Sequence, residues 1–155
     1  MPGIDPAIVV HRLYVDTNFL PIKQKKINFS NEKYVAIRED IKTLLKANVI
    51  RELKFSNWIA NVVLVKKPNN KRRMCTYFTN LNKACPKDFY PLPCLGRLVD
   101  GSAGHEVFDL MDASRGYHQI QMFNADEEKT TFITGYGLYC WKVMPFGLKN
   151  AGATY

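Results

Sequence analysis

Two runs of strand-forming residues, separated by a turn, constrain the fold of this 155-residue chain most strongly. Residues 61–67 read NVVLVKK, which is rich in β-branched side chains, and residues 71–78 read KRRMCTYF. The sequence Pro-Asn-Asn at 68–70 is typical of a turn, so the two runs predict a β-hairpin. Because two strands alone are marginally stable in water, the hairpin must pack against a helix or further strands. The chain is therefore predicted to have an α+β fold built from antiparallel hairpins and helices.

A helix is predicted before this hairpin. Ser30 offers an N-cap, and Asn48 is a residue type that often ends a helix in the left-handed conformation. Apolar residues recur between the two caps at helical spacing, at Tyr34, Ile37, Ile41, Leu44 and Leu45.

The segments on either side of this helix are predicted to be extended. Residues 1–29 are predicted to be an extended lead-in segment, with 24–29 as a short polar strand or arm. Residues 49–53 are predicted to be a brief strand.

The sequence KACPKDFYPLP at residues 83–93 holds three prolines and is not expected to form regular structure. It predicts a division of the chain into the lead-in at 1–29, a segment at 30–83 and a segment at 84–155. Residues 145–155 contain two glycines and are predicted to be a flexible loop that enters the first turns of a helix. The other predicted elements are a short helix at 95–99, a strand at 106–111, extended chain at 117–122, a helical turn at 126–128, and a second hairpin of strands 130–134 and 138–144.

The positive charge of the chain is concentrated in one segment. The net charge is +8, with 22 Lys+Arg and 14 Asp+Glu. Residues 22–83 hold 15 of the basic and 4 of the acidic residues, which leaves 7 and 10 elsewhere. Such a distribution favours contact with a polyanion such as nucleic acid. The alternative is a solvated, lysine-rich surface.

Cysteine spacing and hydropathy restrict the environment of the chain. The cysteines at positions 75, 85, 94 and 140 form no CxxC pair, which favours free thiols in a reducing compartment. No run approaches the roughly 18 apolar residues of a membrane span. The N-terminal sequence MPGIDPAIVVHRLYVD lacks the layout of a secretory signal. An intracellular protein with no membrane contact is therefore expected.

One candidate for metal binding follows an apolar, strand-like run in VFDLMDASRGYHQIQ, residues 107–121. Asp112 lies at the end of this run, and Tyr117 follows five residues later. A carboxylate at a sheet edge suits Mg²⁺, which prefers oxygen ligands and keeps waters and substrate phosphates as the others. Capping a turn or helix is the alternative role for Asp112. Asp109 is a second candidate, but an offset of three places the two on opposite faces of a strand.

The tip of the first hairpin is crowded with positive charge. A guanidinium binds phosphate in a bidentate manner and is permanently charged, which suits a triphosphate or a nucleic-acid backbone. The alternative is that charge protects an edge hairpin from aggregation. The basic residues are Lys66, Lys67, Lys71, Arg72 and Arg73.

Taken in order, the motifs of the chain resemble the reverse transcriptase of gypsy-type long-terminal-repeat retrotransposons, especially plant elements. The resemblance covers nearly the whole chain, through MPGIDP, WIANVVLVKK, RRMC, FTNLNKACPKD, YPLP, MDASRGYHQI, DEEKTTFIT and VMPFGLKNAGATY. It implies the fingers and an incomplete palm of the right-hand polymerase fold, with residues 30–83 as fingers and 84–155 as partial palm. It also implies RNA-directed DNA polymerase activity, a Mg²⁺ cofactor, and an RNA/DNA template-primer and a deoxynucleoside triphosphate as partners.

The resemblance also implies roles for residues of the second half of the chain. Asp112 matches the first catalytic and metal-binding aspartate, a match that rejects Asp109. Tyr117 matches the aromatic residue that excludes a 2′-hydroxyl from the nucleotide site. Phe146 and Gly147 match the loop that packs against the nucleotide and the template.

Within the first hairpin the resemblance implies contacts to the triphosphate and to nucleic acid. Arg73 matches the arginine that contacts the triphosphate, and Lys66 or Lys67 matches the lysine that does so. Lys71 and Arg72 are expected to bind nucleic acid.

Several features depart from the family pattern. The 155 residues contain no Tyr-x-Asp-Asp motif, and one carboxylate cannot hold the two metal ions of nucleotidyl transfer. Thr76-Tyr77, Ser114-Arg115 and Gly135-Tyr136 also stand where the family usually has other residues. These departures predict a truncated and inactive relic, encoded by a nuclear retroelement or by an organelle such as the plant mitochondrion. The alternatives are a non-enzymatic, basic nucleic-acid-binding module and a remnant that does not fold stably.

Overall fold

A computed structural model describes residues 3–66, 68, 72–89, 94–105, 107 and 115–155 of the chain. Its helices within these ranges are α1 (Asn31–Lys46), α2 (Thr79–Ala84), α3 (Leu95–Ser102) and α4 (Asn124–Glu127), with 3-10 helices at Gly116–Gln119 and Glu128–Thr130. Its strands are β1 (Val10–His11), β2 (Ile50–Leu53), β3 (Ala60–Lys66), β4 (Arg72–Tyr77), β5 (Gln121–Met122), β6 (Phe132–Ile133) and β7 (Leu138–Trp141).

Five of these strands form one mixed sheet in the order β2-β7-β6-β3-β4. Strands β3 and β4 pair antiparallel, from Asn61 opposite Tyr77 to Lys66 opposite Arg72, which confirms the first predicted hairpin. Strands β6 and β7 also pair antiparallel and confirm the second, although both are shorter than predicted. Strand β3 joins the two hairpins by pairing in parallel with β6. The predicted α+β class is thus confirmed.

Helix α1 packs against the first hairpin. It begins after Ser30, and Asn48 adopts a left-handed φ of 56°, so both predicted ends are confirmed. The Asp40 carboxylate of α1 accepts a hydrogen bond from the backbone N–H of Met74 in β4, at 2.7 Å. This bond ties the helix to β4 through a backbone N–H on the side where the described sheet has no further strand. The buried residues of its apolar stripe are Ile37 and Ile41.

The lead-in segment is part of the fold rather than a detached extension. Its strand β1, which the sequence did not predict, pairs in parallel with β5. Leu13 is fully buried, and its backbone N–H donates a 2.9 Å hydrogen bond to the carboxylate of Asp126. The other oxygen of Asp126 accepts a 2.7 Å bond from the Lys129 ammonium. The buried carboxylate therefore joins the lead-in to helix α4.

The predicted polar arm at residues 24–29 lies along β3 and is held by a buried amide. The side-chain oxygen of Gln24 accepts bonds from the backbone N–H and the side-chain NH₂ of Asn61, at 2.9 and 3.1 Å. Asn61 also accepts from the backbone N–H of Ile27 and donates to the carbonyl of Lys25. All the polar groups of this buried amide are thus satisfied, and the arm is fixed without forming a continuous strand.

Several predicted elements were wrong or lie outside the described residues. Residues 117–122 were predicted to be extended, but the first part of this segment is a 3-10 helix and only β5 is a strand. The predicted helix within 145–155 is a series of turns. Helix α2 was not predicted, and it extends two residues into the proline-rich segment. Helix α3 confirms the short helix at 95–99 and is longer, whereas most of the predicted strand at 106–111 lies outside the described residues.

The hydrophobic core crosses the predicted boundary between residues 83 and 84. It contains side chains of the lead-in, of α1 and α2, and of the five-stranded sheet, among them Leu13, Ile50, Val62, Met74, Leu81, Phe132, Trp141 and Met144. The three-part division stays a prediction, because shared packing does not decide which parts fold independently.

The cysteines carry free thiols. Burial raises the pKa of Cys85 and that of Cys140 to about 11, so both thiols stay protonated at neutral pH. Among the described residues, the helices are too short or too polar to cross a membrane.

Replacing Asp126 with Ala should lower the free energy of unfolding by about 2–3 kcal/mol, because it leaves the buried N–H of Leu13 without an acceptor. Urea denaturation of both proteins measures the difference. Asp100→Ala, in the exposed helix α3, is the control and should change stability by less than about 0.5 kcal/mol. Equal stability of the Asp126→Ala variant and the wild type would show that the bond does not hold the lead-in.

Candidate nucleotide-binding site

Two of the predicted site residues, Tyr117 and Phe146, form an aromatic cluster with Tyr155. The rings of Tyr117 and Phe146 are stacked, with centroids 4.9 Å apart and planes inclined by 20°. The Tyr155 ring lies 4.9 Å from that of Tyr117 at an angle of 59°. Tyr117 is half-buried, while Phe146 and Tyr155 are 57% and 62% exposed. The cluster therefore offers aromatic surface to solvent while its base is fixed in the fold.

The loop that carries Phe146 is shaped by Gly147 and fixed by Asn82 of helix α2. Gly147 adopts a φ of 96°, which strains any residue with a side chain. The side-chain NH₂ of Asn82 donates a 2.7 Å hydrogen bond to the carbonyl of Gly147. The side-chain oxygen of Asn82 accepts a 2.9 Å bond from the backbone N–H of Lys149. One amide thus holds both sides of the turn. The sequence did not predict this role of Asn82, although the residue lies in the motif FTNLNKACPKD, which contributes to the family resemblance.

Strand β4 passes next to this loop. A Cβ built on Gly147 would lie 3.7 Å from the carbonyl oxygen of Thr76 and 3.9 Å from the ring of Phe78. The hydroxyl of Thr76 accepts a 3.2 Å hydrogen bond from the indole N–H of Trp141 in β7. Thr76, at one of the positions that depart from the family pattern, thereby links β4 to the strand that leads into the loop.

The three described basic residues of the hairpin differ in their contacts. Arg73 and Lys66 are exposed, and Arg73 lies opposite Val65 in the hairpin register. Arg72 forms an ion pair with Glu32 of helix α1, with 3.0 Å between Nη1 and Oε1. Glu32 is largely exposed, so this pair contributes at most about 1 kcal/mol. The predicted contact of Arg72 with nucleic acid stays a prediction, and it would compete with this ion pair.

His118 packs beside the aromatic cluster, and the charge of the hairpin acts on its ring. Its ring centroid lies 5.5 Å from that of Phe146 and 5.4 Å from that of Trp141. Burial lowers the pKa of His118, and the positive charges of Arg115 and Arg73 lower it further. The charge of Arg73 therefore acts on His118, whose ring packs beside Phe146. Neither ring nitrogen of His118 has a hydrogen-bond partner among the residues that the structure describes.

The site's proposed metal ligand lies outside the described residues. Asp112 falls there together with Lys67, Lys71 and the alternative Asp109, so the geometry of a Mg²⁺ site is not part of the described fold. In the remainder of the chain, no three carboxylate, imidazole or thiol groups converge to hold a metal ion. A carboxylate at position 112 has the oxygen chemistry that Mg²⁺ requires.

The fold is the one found in the fingers and palm of reverse transcriptases. A foamy viral protease-reverse transcriptase in complex with double-stranded DNA superposes with a TM-score of 0.73 at 20% identity, over 98% of this chain and 25% of that one. The same kind of protein in complex with an RNA/DNA hybrid gives a TM-score of 0.71 at 19% identity, over 89% and 19% of the two chains.

Sequence comparison defines the family. The family profile "Reverse transcriptase (RNA-dependent DNA polymerase)" matches residues 65–155. A retrovirus-related Pol polyprotein from transposon 297 of Drosophila melanogaster is 30% identical over 143 residues, 90% of this chain and 14% of that protein. An RNA-directed DNA polymerase homolog of Oenothera berteroana is 42% identical over 83 residues, 54% and 58% of the two chains.

The chain belongs to the reverse transcriptase family and is a homologue of retrotransposon reverse transcriptases. It spans a minor part of the transposon polyproteins and somewhat more than half of the Oenothera relative. These matches confirm the family and the retrotransposon relationship that the motif order implied.

Replacing Asn82 with Ala should accelerate amide hydrogen exchange at Lys149, because the N–H of that residue loses its acceptor. Opening of the turn should become easier by about 1 kcal/mol, or roughly fivefold in exchange rate. Asn80→Ala, in the same short helix, is the matched control and should leave that rate unchanged. Unaltered exchange at Lys149 in the Asn82→Ala variant would show that the loop holds its shape without Asn82.

The free energy of unfolding should fall as the pH is lowered from 7.5 to 5.5. Folding lowers the pKa of His118 and also that of His11, chiefly by burial. The unfolded chain therefore binds protons first, near pH 6.5, and the histidine contribution is lost as the pH falls from there toward the folded-state values.

Denaturation of wild type and a His118→Phe variant at both pH values measures this effect. Phenylalanine preserves the ring contacts but does not titrate, so the variant should lose less stability on acidification. His105→Phe, at an exposed position, is the control and should follow the wild type. Identical pH profiles for all three proteins would exclude a contribution from His118.

Proposed function

We propose that the chain forms the fingers and part of the palm of a gypsy-type, plant-like retrotransposon reverse transcriptase. In this function it binds a deoxynucleoside triphosphate and an RNA/DNA template-primer. The observation that carries the proposal is the stacked pair of Tyr117 and Phe146, which packs beside His118, a ring on which the charge of Arg73 acts. An aromatic surface suits the sugar and base, and a permanently charged guanidinium suits the phosphates.

The described geometry supports a different role in nucleotide binding for each of these residues. Tyr117 would contact the sugar and exclude a 2′-hydroxyl, because its ring packs against two aromatic neighbours, which restricts its movement. Phe146 would support the nucleotide through its exposed ring, and Gly147 would allow close approach of the backbone. Arg73 and Lys66 or Lys67 would bind the triphosphate, and Lys71 and Arg72 the nucleic-acid backbone.

Asp112 is proposed to be the metal-binding aspartate of the palm. When bound, Mg²⁺ would supply charge neutralisation at the phosphates during nucleotidyl transfer. The side chains of this chain would position the nucleotide beside it, and most of the protein's contribution to phosphoryl transfer is such positioning and electrostatic stabilisation.

Binding of a labelled RNA/DNA hybrid to the 155-residue chain tests the proposal. Affinity should fall steeply with salt, and Mg²⁺ with the complementary deoxynucleoside triphosphate should tighten binding. Arg73→Gln should weaken this nucleotide-dependent tightening about tenfold, because a charged hydrogen bond to phosphate is lost. Fluorescence anisotropy with and without the nucleotide measures it.

Arg38→Gln is the charge-matched control, since Arg38 is exposed on helix α1 beside Tyr136. This variant should keep the tightening. Equal losses in both variants would instead favour the non-enzymatic basic module, which the excess of positive charge in residues 22–83 supports. The polypeptide is not expected to extend the primer, because its 155 residues contain no Tyr-x-Asp-Asp motif. Extension abolished by Asp112→Ala would contradict that expectation.

A further inference from the structure

We propose that a cleft at the β2 edge of the sheet binds single-stranded nucleic acid, at a place distinct from the aromatic cluster. This edge cleft has a volume of about 490 Å³, and its walls include Lys23, Lys54, Phe55, Asn57 and Glu128. Its volume lies in the range of sites for small organic ligands, so it could accept one base with its sugar. None of the described residues of the proposed nucleotide site lines it.

Phe55 gives the edge cleft an aromatic platform. It follows the end of β2, and 85% of its surface is exposed. A single exposed phenylalanine is common on protein surfaces and needs no explanation by itself. Its position in a cleft that two lysines also line is the arrangement that binds single strands, in which bases stack on aromatic rings and phosphates meet positive charge.

The edge cleft also carries an excess of positive charge. Lys23 and Lys54 form no ion pair within the described ranges of the chain. Glu128 is the acidic residue of the lining, and it lies 3.5 Å from a guanidinium nitrogen of Arg51. Arg51 also pairs with Glu127 at 2.8 Å, so it offsets the charge of Glu128 only in part. The two ammonium groups still exceed the remaining carboxylate charge by one and can attract phosphate.

The backbone around the edge cleft is fixed by hydrogen bonds. The hydroxyl of Ser56 lies within hydrogen-bond distance of the carbonyls of Trp58 and Glu128, at 2.8 and 3.0 Å. Lys23 is held because its neighbours Ile22 and Gln24 both bond to the backbone of Ile59, at 3.1 and 2.9 Å. A ligand would therefore meet lysines on an ordered backbone, which reduces the entropy lost on binding.

The single strand is favoured over a duplex because Phe55 needs an unstacked base. In a duplex the faces of the bases are covered by their neighbours, and a lone ring at a sheet edge gains little from them. The inference does not depend on polymerase activity, because neither Arg73 nor Asp112 takes part in it.

Anisotropy of a short labelled oligo(dT) with the 155-residue chain tests the edge cleft. Phe55→Ala should weaken binding about tenfold, the loss expected for one stacked base. Phe89→Ala is the matched control, because Phe89 is 84% exposed and also lies next to a lysine, Lys87. It should weaken binding less than twofold. Since Phe55 is almost fully exposed, its replacement should leave the fold intact.

The charge contribution is tested through the salt dependence. Lys54→Gln should reduce the slope of log affinity against log salt by about one, and Lys42→Gln on the exposed face of α1 should change it less. Photo-crosslinking of an oligonucleotide with 5-iodouracil should label the peptide that contains Phe55.

Three results would overturn the inference: equal losses for Phe55→Ala and Phe89→Ala, equal affinity for duplex and single strand, or complete competition by inorganic polyphosphate at equal phosphate concentration. Failure here with a normal Arg73→Gln result would leave the proposed nucleotide site intact. If the cleft tests succeed and Arg73→Gln has no effect, the edge cleft would remain as a binding site without the proposed nucleotide site.

Discussion

The pairing of strand β3 on both of its sides determines where the candidate site can form. On one side β3 bonds to β4, which carries Arg73, and on the other it bonds to β6, which continues through β7 into the loop of Phe146. Two hairpins far apart in sequence are thereby held in one sheet. The bond from the indole of Trp141 to Thr76 adds a second link between β4 and β7. Without the shared strand, the charge of Arg73 and the exposed ring of Phe146 would not be held in fixed positions relative to each other.

Within that frame, the shape of the site depends on a few polar side chains rather than on further strands. Asn82 holds both sides of the turn at Gly147 through one amide, so the loop needs no pairing of its own. Asp126 has a similar role in another part of the fold, since its carboxylate joins the lead-in to α4. Each of these groups satisfies backbone groups that would be costly to leave without partners. Irregular chain can thus be as well defined as the sheet.

The sequence predicted those parts of the fold that depend on local chemistry. Both hairpins and the ends of α1 follow from β-branched runs, turn residues, Ser30 and Asn48, all of which act through their immediate neighbours. The pairing of β1 with β5 was not predictable in this way, because two-residue strands over a hundred residues apart have no local pattern. The 3-10 helix at Gly116–Gln119 was missed because an alternation of apolar and polar residues suggests extended chain. For the candidate site, motif order proposed Tyr117 and Phe146, but their stacking depends on that 3-10 helix and on the loop that Asn82 holds.

The positive charge of the chain illustrates why composition alone does not locate a binding surface. Arg51 is engaged by Glu127 and Glu128, and Lys129 by Asp126, so these cations mainly offset carboxylates within the fold. Arg72 is paired more weakly with the exposed Glu32 and could exchange that partner for a phosphate. Among the cations that form no ion pair in the described part of the chain, Arg73 is exposed at the hairpin, and Lys23 and Lys54 line the cleft that also contains Phe55. Both places combine unpaired charge with exposed aromatic rings, so each of the two proposed sites would add stacking to electrostatic attraction.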